Sequence, residues 1–548
     1  MVSRAPSLKA IVNEDGAVIL DIEHDLMSTL NPTGAYVWQG PQRGETIDTI
    51  IANLSCDTGE DSLLVEPDVR EFVAELQKKA ADATLTRRAT MRAPETFVES
   101  VEYLVALVLP ESREVLAILD LNGYRLPAVD IVTWSRPAEQ LQQAIKARWG
   151  VSGIVLDFLQ SLDRPQACVV VEVLVPNRAF ELQPIEVSEL CISALDEQWR
   201  EQLMSVLAGG RRSGGAFSQI GWIDEAILWL ESETGRTVSS KHTIDQYNAG
   251  DGFSLVRFRT QDGRDYWMKA TGVPNAHEPE ITRVLSDLCG GYLPEFISSK
   301  PEWNAWLMAG EATALSEWPQ EAFQLFTLLE STVESMAQLQ IRTRGHGSTL
   351  LNAGAFDQGM QFFLRRSPEV FDYLQESMSL QTSMKAHNLD KMRLLEMRRI
   401  FDQTCDRMES LGIGESIVHG DLNTGNILTG IGHCQFIDWC EAYLGNPLIT
   451  LQHLLLLNKV EKPEVREFIN RLLKQKYRDV WATKYDPRWF DEAFVYMPLL
   501  AIASTLYGRG QWLDSTEQRN DLRRQSYARS LARCMHQAAR EPELLGAL

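Results

Sequence analysis

A short segment in the carboxyl-terminal half of the chain places two carboxylates and one amide at a spacing suited to phosphoryl transfer. An apolar run leads into His419-Gly420-Asp421, Asn426 follows five residues after the aspartate, and Asp438 comes after a second apolar run. Phosphoryl transfer needs a carboxylate that orients the attacking hydroxyl and accepts its proton, together with oxygen ligands that hold Mg²⁺ on the phosphates. These residue types indicate a kinase-type reaction with ATP and Mg²⁺ as cofactors.

The motifs H-G-D-x-x-x-x-N and I-D-W resemble those of the aminoglycoside phosphotransferase and choline kinase family, whose members have the protein-kinase fold. The correspondence holds residue by residue over positions 417–439. It implies that Asp421 is the catalytic base and that Asn426 and Asp438 are the metal ligands. It further implies that His419 braces the catalytic loop.

The segment before this motif has the pattern of a nucleotide-binding lobe. A polar, glycine-containing loop precedes an apolar strand at residues 255–258, and a second predicted strand at residues 266–270 carries Lys269 among apolar neighbours. A cation on an apolar strand needs a partner, and the resemblance makes Lys269 a ligand of the α- and β-phosphates. The alternative is a solvated lysine on an edge strand. The loop residues that the resemblance places beside the nucleotide are Gly250, Gly252 and Ser254.

Two glutamates near the start of the next predicted helix are candidates to pair with Lys269. Glu278 lies seven residues before Leu285, a spacing seen in the family, and is favoured over Glu280. The glutamate that does not pair would be an acidic residue stabilised by the helix dipole. The choice between the two stays open at the level of the sequence.

An apolar strand over residues 304–310 follows that helix. The resemblance implies that this strand is the hinge, where Met308 and Ala309 contact the adenine ring; a plain core strand is the alternative. Helical patterns dominate residues 320–410 and 450–540 and predict the helical lobe that forms the acceptor side.

The first residues predict a β-hairpin followed by three helices. Apolar runs at residues 10–12 and 18–20 flank an Asp15-Gly16 pair, a combination typical of tight hairpin turns. With a Leu-Asn-x-x-Gly-x-x-x-Trp run after the hairpin, residues 8–90 resemble the PqqD-like peptide-recognition domain. The resemblance implies a leader peptide bound as an added strand on the hairpin edge. The alternative is a winged-helix-like module used for packing or dimerisation.

Residues 93–208 alternate β-branched runs with one helical stretch. The runs at 103–109 and 167–175 predict strands, and 137–149 predicts a helix. The segment ahead of Gly150 resembles a Nudix hydrolase domain, whose catalytic helix needs carboxylates to hold Mg²⁺. The positions that would carry them hold Ala144, Ala147 and Arg148. We therefore predict a catalytically inactive scaffold or binding domain.

Composition favours a cytoplasmic protein. The 548 residues carry a formal net charge of −22, which disfavours nucleic-acid and anionic-membrane partners because phosphate binding draws on Lys and Arg. The eight cysteines form no Cys-x-x-Cys pair, which favours reduced thiols. The first residues lack the apolar core of a secretion signal. We predict no nucleic-acid or membrane partner, and the oligomeric state stays open.

The predicted fold class is α+β and multidomain. A glycine-rich stretch at residues 208–215 is typical of a flexible linker and divides the chain. The predicted domains are a small hairpin-plus-three-helix, winged-helix-like domain (1–92), a Nudix-like α/β domain (93–208), and a bilobal protein-kinase-like domain with an N-lobe (216–313) and a helical C-lobe (314–548).

Three functions fit the sequence. The first is a kinase for a hydroxyl of a ribosomally made precursor peptide, which the N-terminal domain delivers at high effective concentration. The second is a small-molecule kinase for an aminoglycoside, amino sugar or choline-like amine, whose positive charge the acidic chain suits. The third is a nucleotide-binding pseudokinase scaffold. It is disfavoured because Lys269, Asp421, Asn426 and Asp438 are all present.

Overall fold

The computed structural model describes most of the chain from residue 100 onwards and short stretches before it. The described residues are 8–13, 16–21, 26–30, 46, 49–51, 100–132, 136–159, 167–175, 181–191, 195–209, 215–250, 252–310, 313–314, 321–381, 387–429 and 432–548. The chain divides into two compact units. One comprises Met1–Glu99, Phe363–Arg407 and Pro498–Leu548, and the other comprises Ser100–Phe362 and Met408–Met497.

The first unit begins with a three-stranded antiparallel sheet. Its strands, in the order β1-β2-β3, are β1 (Leu8–Asn13), β2 (Gly16–Asp21) and β3 (Leu26–Leu30). Asn13 pairs with Gly16, which confirms the predicted hairpin, and β3 is an addition to it. Most of the helices predicted for residues 1–92 lie outside the described residues. Within this range residues 49–51 are helical, and Ile50 and Ile51 are buried.

The second unit opens with a seven-stranded mixed sheet, called the middle sheet below. Its elements are β4 (Ser100–Val108), β5 (Val115–Asp120), β6 (Gly123–Arg125), β7 (Ala128–Val132), α1 (Pro137–Trp149), β8 (Ser152–Leu159), β9 (Ala167–Val175), β10 (Gln183–Ile185) and α2 (Glu197–Leu207). The order is β10-β5-β4-β9-β8, with β6 on β5 and β7 on β4. The predicted helix 137–149 and strand 167–175 coincide with α1 and β9. α1 buries one face at helical spacing, made of Ala138, Leu141, Ile145 and Trp149.

A five-stranded antiparallel sheet follows in the same unit. Its elements are α3 (Trp222–Thr234), β11 (Asp245–Asn248), β12 (Phe253–Arg259), β13 (Asp265–Thr271), α4 (Glu278–Cys289), β14 (Glu295–Lys300) and β15 (Ala305–Ala309). The strand order is β11-β12-β13-β15-β14. Val256 and Phe258 of β12 are buried while Arg259 is exposed, because alternate residues of a strand point to opposite faces. The strands predicted at residues 255–258 and 266–270 lie within β12 and β13.

One hydrophobic core runs through both of these sheets. Trp199 and Leu203 of α2, Trp222 of α3 and Phe258 of β12 all belong to it. The stretch 208–215, predicted as a flexible linker, therefore connects parts of the chain that pack together. The apolar contacts that join the two sides are long-range and leave no local pattern. The flexibility predicted for residues 208–215 stays a prediction, because 210–214 lie outside the described residues.

Helices dominate the rest of the chain, as the sequence predicts. Up to residue 507 the elements are β16 (Thr313–Ala314), α5 (Ala322–Thr343), α6 (Gly347–Asn352), β17 (Phe356–Gln358), α7 (Met360–Ser379), α8 (Lys391–Ser410), β18 (Ser416–Val418), β19 (Ile427–Thr429), β20 (Cys434–Phe436), β21 (Tyr443–Gly445), α9 (Leu448–Leu456), α10 (Pro463–Trp481) and α11 (Pro487–Tyr507). Two small sheets have the orders β16-β19-β20 and β17-β21-β18. Their short strands carry the predicted catalytic segments, since His419 follows β18, Asn426 precedes β19 and Asp438 follows β20.

Three more helices complete the first unit: α12 (Thr516–Arg519), α13 (Leu522–Ala538) and α14 (Pro542–Ala547). Within that unit the ring of Phe363 packs on that of Tyr507, with 4.6 Å between centroids. Arg366 forms an ion pair of 2.9 Å with Asp514. Among the described residues, no helix combines the length and the apolar character that a membrane crossing requires.

Candidate active site

A buried lysine lies at the centre of the site. Lys269 is on β13, and its Nζ donates hydrogen bonds to Glu278 Oε1 at 2.5 Å and to Asp438 Oδ1 at 3.1 Å. The side chains of Lys269 and Glu278 are 8% and 1% exposed, whereas that of Asp438 is 35% exposed. The rings of Phe253 and Trp306 have their centroids 5.2 and 5.5 Å from the ammonium. The cluster thus joins the sheet, α4 and the loop after β20.

The geometry at the start of α4 distinguishes the two candidate glutamates. α4 begins at Glu278, which is buried against Lys269. Glu280 is exposed and pairs with Arg283 on the same helix at 2.6 Å. Residues two positions apart on a helix do not share a face, so only one of the two can point inward. The pair that forms is the one the family spacing favours.

Electrostatic interactions favour the charged forms of Lys269 and Asp438 in this cluster. Burial by itself lowers the pKa of Lys269, but the carboxylates of Glu278 and Asp438 outweigh burial and leave that pKa raised. Burial opposes ionisation of Asp438, yet Lys269 and the Cys440 thiol lower the pKa of this carboxyl overall. Burial raises the pKa of Glu278 despite the neighbouring ammonium. Lys269 is therefore an ammonium that needs both carboxylates to remain buried.

The loop after β18 presents Asp421 to solvent. The side-chain amide of Asn426 donates to the Asp421 backbone oxygen at 2.9 Å and to Asp421 Oδ2 at 3.4 Å. The backbone oxygen of Asn426 accepts from the Ile437 N–H at 3.1 Å, directly before Asp438. These contacts bring Asp421, Asn426 and Asp438 into one site and, through Asp438, connect them to the buried lysine.

His419 lies fully buried beneath this loop. Its Nε2–H donates to the carbonyl of Ile437 at 2.9 Å, and its ring packs on that of Trp439 with 4.5 Å between centroids. Burial lowers the pKa of His419, so the ring is neutral at pH 7. The side chain ties the loop of Asp421 to the strand end that carries Asp438, as expected of a residue that braces the loop.

Two backbone positions at the site have positive φ angles. Gly420 has φ +78°, and a Cβ there would lie 2.0 Å from the backbone oxygen of Glu441, so only glycine fits. Asp438 has φ +68°. A non-glycine residue with a left-handed backbone conformation costs about 1–3 kcal/mol, and such residues occur most often at functional sites. The unusual backbone angle accompanies the placement of the Asp438 carboxylate on Lys269.

Two further hydrogen bonds fasten α4 to the loop that carries Asp438. The backbone N–H of Trp439 donates to Glu278 Oε1 at 3.2 Å, and His277 Nε2–H donates to the carbonyl of Cys440 at 2.9 Å. The His277 ring also packs edge-on against Phe356, with 5.2 Å between centroids. His277 belongs to no motif, and its only signal in the sequence is its position directly before Glu278.

The glycine-containing loop lies between β11 and β12. Gly250 has φ +127°, and a Cβ on Gly250 or Gly252 would meet no atom of the described residues within 4 Å. The backbone there faces space that a ligand can approach. Ser254 is buried, and its hydroxyl donates to the Asn248 carbonyl at 3.4 Å, so it closes the loop. Contact between these residues and a nucleotide stays a prediction.

Met308 and Ala309 lie at the end of β15. Each pairs with one residue of β13 and one of β14. Both residues are therefore part of the sheet, and the connection after β15 begins at Gly310. The strand predicted here is present, and its contact with adenine is a prediction that the pairing does not test.

Asn426 and Asp438 offer the oxygen atoms that Mg²⁺ prefers. The amide nitrogen of Asn426 is engaged within the loop, which leaves its oxygen as the ligand atom. Glu278, Asp438 and Cys440 also place one ligand atom each within 4.8 Å of one another. There the Lys269 ammonium is bonded to both carboxylates, and burial raises the pKa of the Cys440 thiol, which keeps it protonated. Asn426 and Asp438 are therefore the residues that would hold Mg²⁺.

These side chains define a class of site. A strand lysine paired with a helix glutamate, a loop with an aspartate and an asparagine, and a second aspartate beside the lysine are the side chains of a kinase-type phosphotransferase site.

Family models match two parts of the chain. Residues 16–80 match coenzyme PQQ synthesis protein D (PqqD), which confirms the resemblance of the N-terminal domain. Residues 370–444 match the RIO domain, a stretch that contains Asp421, Asn426 and Asp438. The two matches leave residues 93–208 uncovered, so the Nudix-like resemblance stays a prediction. No curated protein matches the chain.

Solved structures similar to this chain are phosphotransferases and kinases. The macrolide 2′-phosphotransferase MphH from Brachybacterium faecium is 15% identical with a TM-score of 0.35, over 56% of this chain and 97% of its own. A choline/ethanolamine kinase family protein from Mesorhizobium loti is 15% identical with a TM-score of 0.34, over 59% and 98%. The choline kinase from Cryptosporidium parvum is 13% identical with a TM-score of 0.39, over 60% and 98%.

Proposed function

We propose that this chain is an ATP- and Mg²⁺-dependent phosphotransferase that phosphorylates a hydroxyl of a ribosomally made precursor peptide. The observation that carries the reaction is the buried Lys269, bonded to Glu278 and Asp438 and connected through the loop contacts to Asp421 and Asn426. A structural role alone does not account for a buried lysine and a buried glutamate bonded beside the partly exposed Asp438, since buried charges are costly.

Each residue has a defined task in this proposal. Lys269, held by Glu278, binds the α- and β-phosphates of the nucleotide. Asp421 accepts the proton of the acceptor hydroxyl as the hydroxyl oxygen bonds to the γ-phosphorus and the bond from that phosphorus to the bridging oxygen of the β-phosphate breaks, which releases ADP. Asn426 and Asp438 hold Mg²⁺, which neutralises negative charge on the phosphates.

The N-terminal domain supports a peptide as the acceptor. Residues 16–80 match the PqqD family model, and the sheet of the described residues there has the order β1-β2-β3, which leaves β1 and β3 at its edges. An edge strand offers unpaired backbone groups to an extended peptide. A leader bound in this way raises the effective concentration of a Ser or Thr near the kinase-type site.

Transfer of the γ-phosphate from ATP to an acceptor tests the catalytic assignment. Asp421→Asn removes the base and keeps the size of the side chain, so transfer should fall by about 10²- to 10⁴-fold while nucleotide binding is retained. Asp287→Asn is the matched control, because Asp287 is exposed and pairs only with Arg283 on the surface of α4 in the described contacts. Full activity of Asp421→Asn would refute the role of the base.

The acceptor is tested with full-length protein and a precursor peptide encoded beside its gene, with and without the leader. We expect removal of the leader to raise the acceptor KM by about tenfold or more and to leave the KM for ATP unchanged. Equal kinetics for both peptides would refute recruitment by the leader. Phosphorylation of an aminoglycoside or choline-like amine in place of any peptide would identify a small-molecule kinase, and nucleotide binding without transfer would identify a pseudokinase.

A further inference from the structure

The middle sheet contacts the strand that leads into the glycine-containing loop. β11 is the edge strand of its sheet, and backbone groups on such an edge need partners. The side chain of Gln142, on α1 beside the middle sheet, supplies them. Its Nε2 donates to the Ile244 carbonyl at 3.0 Å, and its Oε1 accepts from the Gln246 N–H at 3.1 Å. The amide of Gln142 thus takes the place that a neighbouring strand would occupy.

A second glutamine makes the reverse connection. Gln246 of β11 is fully buried, accepts from the Val155 N–H at 2.7 Å and donates to the Val155 carbonyl at 3.0 Å. Val155 belongs to β8, the edge strand of the middle sheet. Gln142 also donates to the Gly153 carbonyl of that strand at 3.0 Å. Two amide side chains therefore join two sheet edges.

Contacts with α1 and the middle sheet continue along the chain as far as Ala249, directly before the glycines of the loop. The guanidinium of Arg136, at the start of α1, lies 5.3 Å from the ring centroid of Tyr247. Ala249 packs against the hydrophobic core that lies between α1 and the middle sheet. Ala249 directly precedes Gly250, so the stem of the loop is held by the middle sheet and its helix up to the point where the glycines begin.

We propose that the middle sheet and α1, together called the middle domain below, are a positioning element of the phosphotransferase site, with Gln142 as the main positioning residue. Gln142 fixes the position of β11, and the position of β11 determines where the backbone of the glycine-containing loop meets the nucleotide phosphates. This inference rests on the proposed function. A positioning role does not need carboxylates at Ala144, Ala147 and Arg148 of α1, because the contacts to β11 use amide, guanidinium and apolar groups.

Gln140 provides an internal control on the same helix. Its Oε1 accepts from the Val132 N–H at 2.9 Å, and its Nε2 donates to the Val132 carbonyl at 3.2 Å. The chemistry equals that of Gln142, but these bonds connect two elements of the middle domain. Loss of either glutamine removes amide-to-backbone bonds: those of Gln140 join α1 to β7, and those of Gln142 reach the backbone of β11 and of Ile244 before it.

The test compares nucleotide binding by full-length Gln142→Ala and Gln140→Ala. Calorimetric titration with ADP and Mg²⁺ gives the dissociation constant, and thermal unfolding of the same samples gives the stability. We expect Gln142→Ala to weaken ADP binding by about tenfold and Gln140→Ala to change it by less than about twofold. Unchanged binding in Gln142→Ala, or equal weakening in both variants, would overturn the inference.

A milder pair covers the case in which Gln142→Ala does not fold. Arg136→Ala removes the contact with Tyr247, and Arg148→Ala removes the corresponding contact with Trp149, 5.0 Å away within the middle domain. We expect Arg136→Ala to bind ADP about threefold more weakly than wild type and Arg148→Ala to bind it as wild type does. Equal weakening in both variants would overturn the inference. A wild-type protein that binds no nucleotide would instead refute the proposed function.

Discussion

The ion cluster of Lys269 is stable only when all its members are present. Each charge taken out of water costs several kcal/mol, and only close partners offset that cost. Glu278 Oε1 accepts from both Lys269 and the Trp439 N–H, while Glu278 Oε2 has no hydrogen-bond partner among the described residues. The motif residues of this cluster are predictable from sequence because their chemistry fixes their spacing along the chain. The contribution of the Trp439 N–H is not predictable from sequence, since every residue except proline carries a backbone N–H.

Replacement of the buried glutamate separates its role from that of its exposed neighbour. Glu278→Gln leaves Lys269 with Asp438 as its remaining carboxylate in the cluster, so we expect kcat/KM to fall by about 10²-fold or more. Glu280→Gln breaks only a surface pair with Arg283 and should change kcat/KM by less than about twofold. Steady-state kinetics of the two variants decide the matter. Equal losses, or no loss in Glu278→Gln, would show that the assigned pair is not part of catalysis.

The histidines near the site make stability depend on pH. Burial, with a smaller contribution from His419, lowers the pKa of His453 on α9 from 6.5 to about 4. Between pH 6.5 and 4 the unfolded chain binds a proton at His453 that the folded chain does not, so stability is full at pH 7 and falls on acidification. Between pH 7 and 4.5 the free energy of unfolding, measured with urea, should therefore fall by about 1–3 kcal/mol less in His453→Gln than in wild type. Parallel curves for both proteins would contradict this.

Among the elements, those with a strong local pattern are predicted best. α1 starts with a proline and ends before Gly150, which has φ +67°, and both residues are typical helix boundaries. β9 is dense in valine. β3 is missed because Leu26–Leu30 contains a single β-branched residue and is only five residues long. Short strands of this kind form through their pairing with β2, which a local pattern does not reveal.

One of the hydrogen bonds between α4 and the loop after β20 comes from His277. His277→Phe keeps an aromatic ring beside Phe356 but removes the donor to the Cys440 carbonyl, so α4 and the loop of Asp438 are held together less firmly. We expect kcat to fall by about tenfold with a smaller change in the KM for ATP, and His277→Gln to restore part of kcat because its amide can donate. Wild-type kcat in His277→Phe would show that this bond does not position the site.

At the scale of the whole molecule, the sequence pattern separates parts that the fold joins. Gln142 and Ile244 are 102 residues apart, and no periodicity links them. The glycine-rich stretch 208–215 marks a change of pattern, but the core on its two sides is continuous. The change of pattern at this stretch is visible in the sequence, whereas the union of the middle sheet with the five-stranded sheet of β11 to β15 is not.

The shared core predicts that these two sheets unfold together. Leu203 of α2 is fully buried in that core, so Leu203→Ala should lower the free energy of unfolding by about 2–5 kcal/mol. In this variant nucleotide binding and the tryptophan fluorescence of the core should change at the same urea concentration, and that concentration should be lower than in wild type. Met204→Ala, at the exposed neighbouring position, should change the free energy by less than about 0.5 kcal/mol. A nucleotide site that keeps its wild-type midpoint in Leu203→Ala would mean that the sheets are independent.

Titration of the full-length protein with ADP, in the presence and absence of Mg²⁺, tests the nucleotide site most directly. In the proposed function Asp438 holds the metal, so Mg²⁺ should tighten ADP binding by wild type about tenfold and leave binding by Asp438→Asn unchanged. A wild-type protein whose affinity for ADP is the same with and without Mg²⁺, or an Asp438→Asn variant that responds to Mg²⁺ as wild type does, would contradict a kinase-type site built on Lys269, Asp421, Asn426 and Asp438.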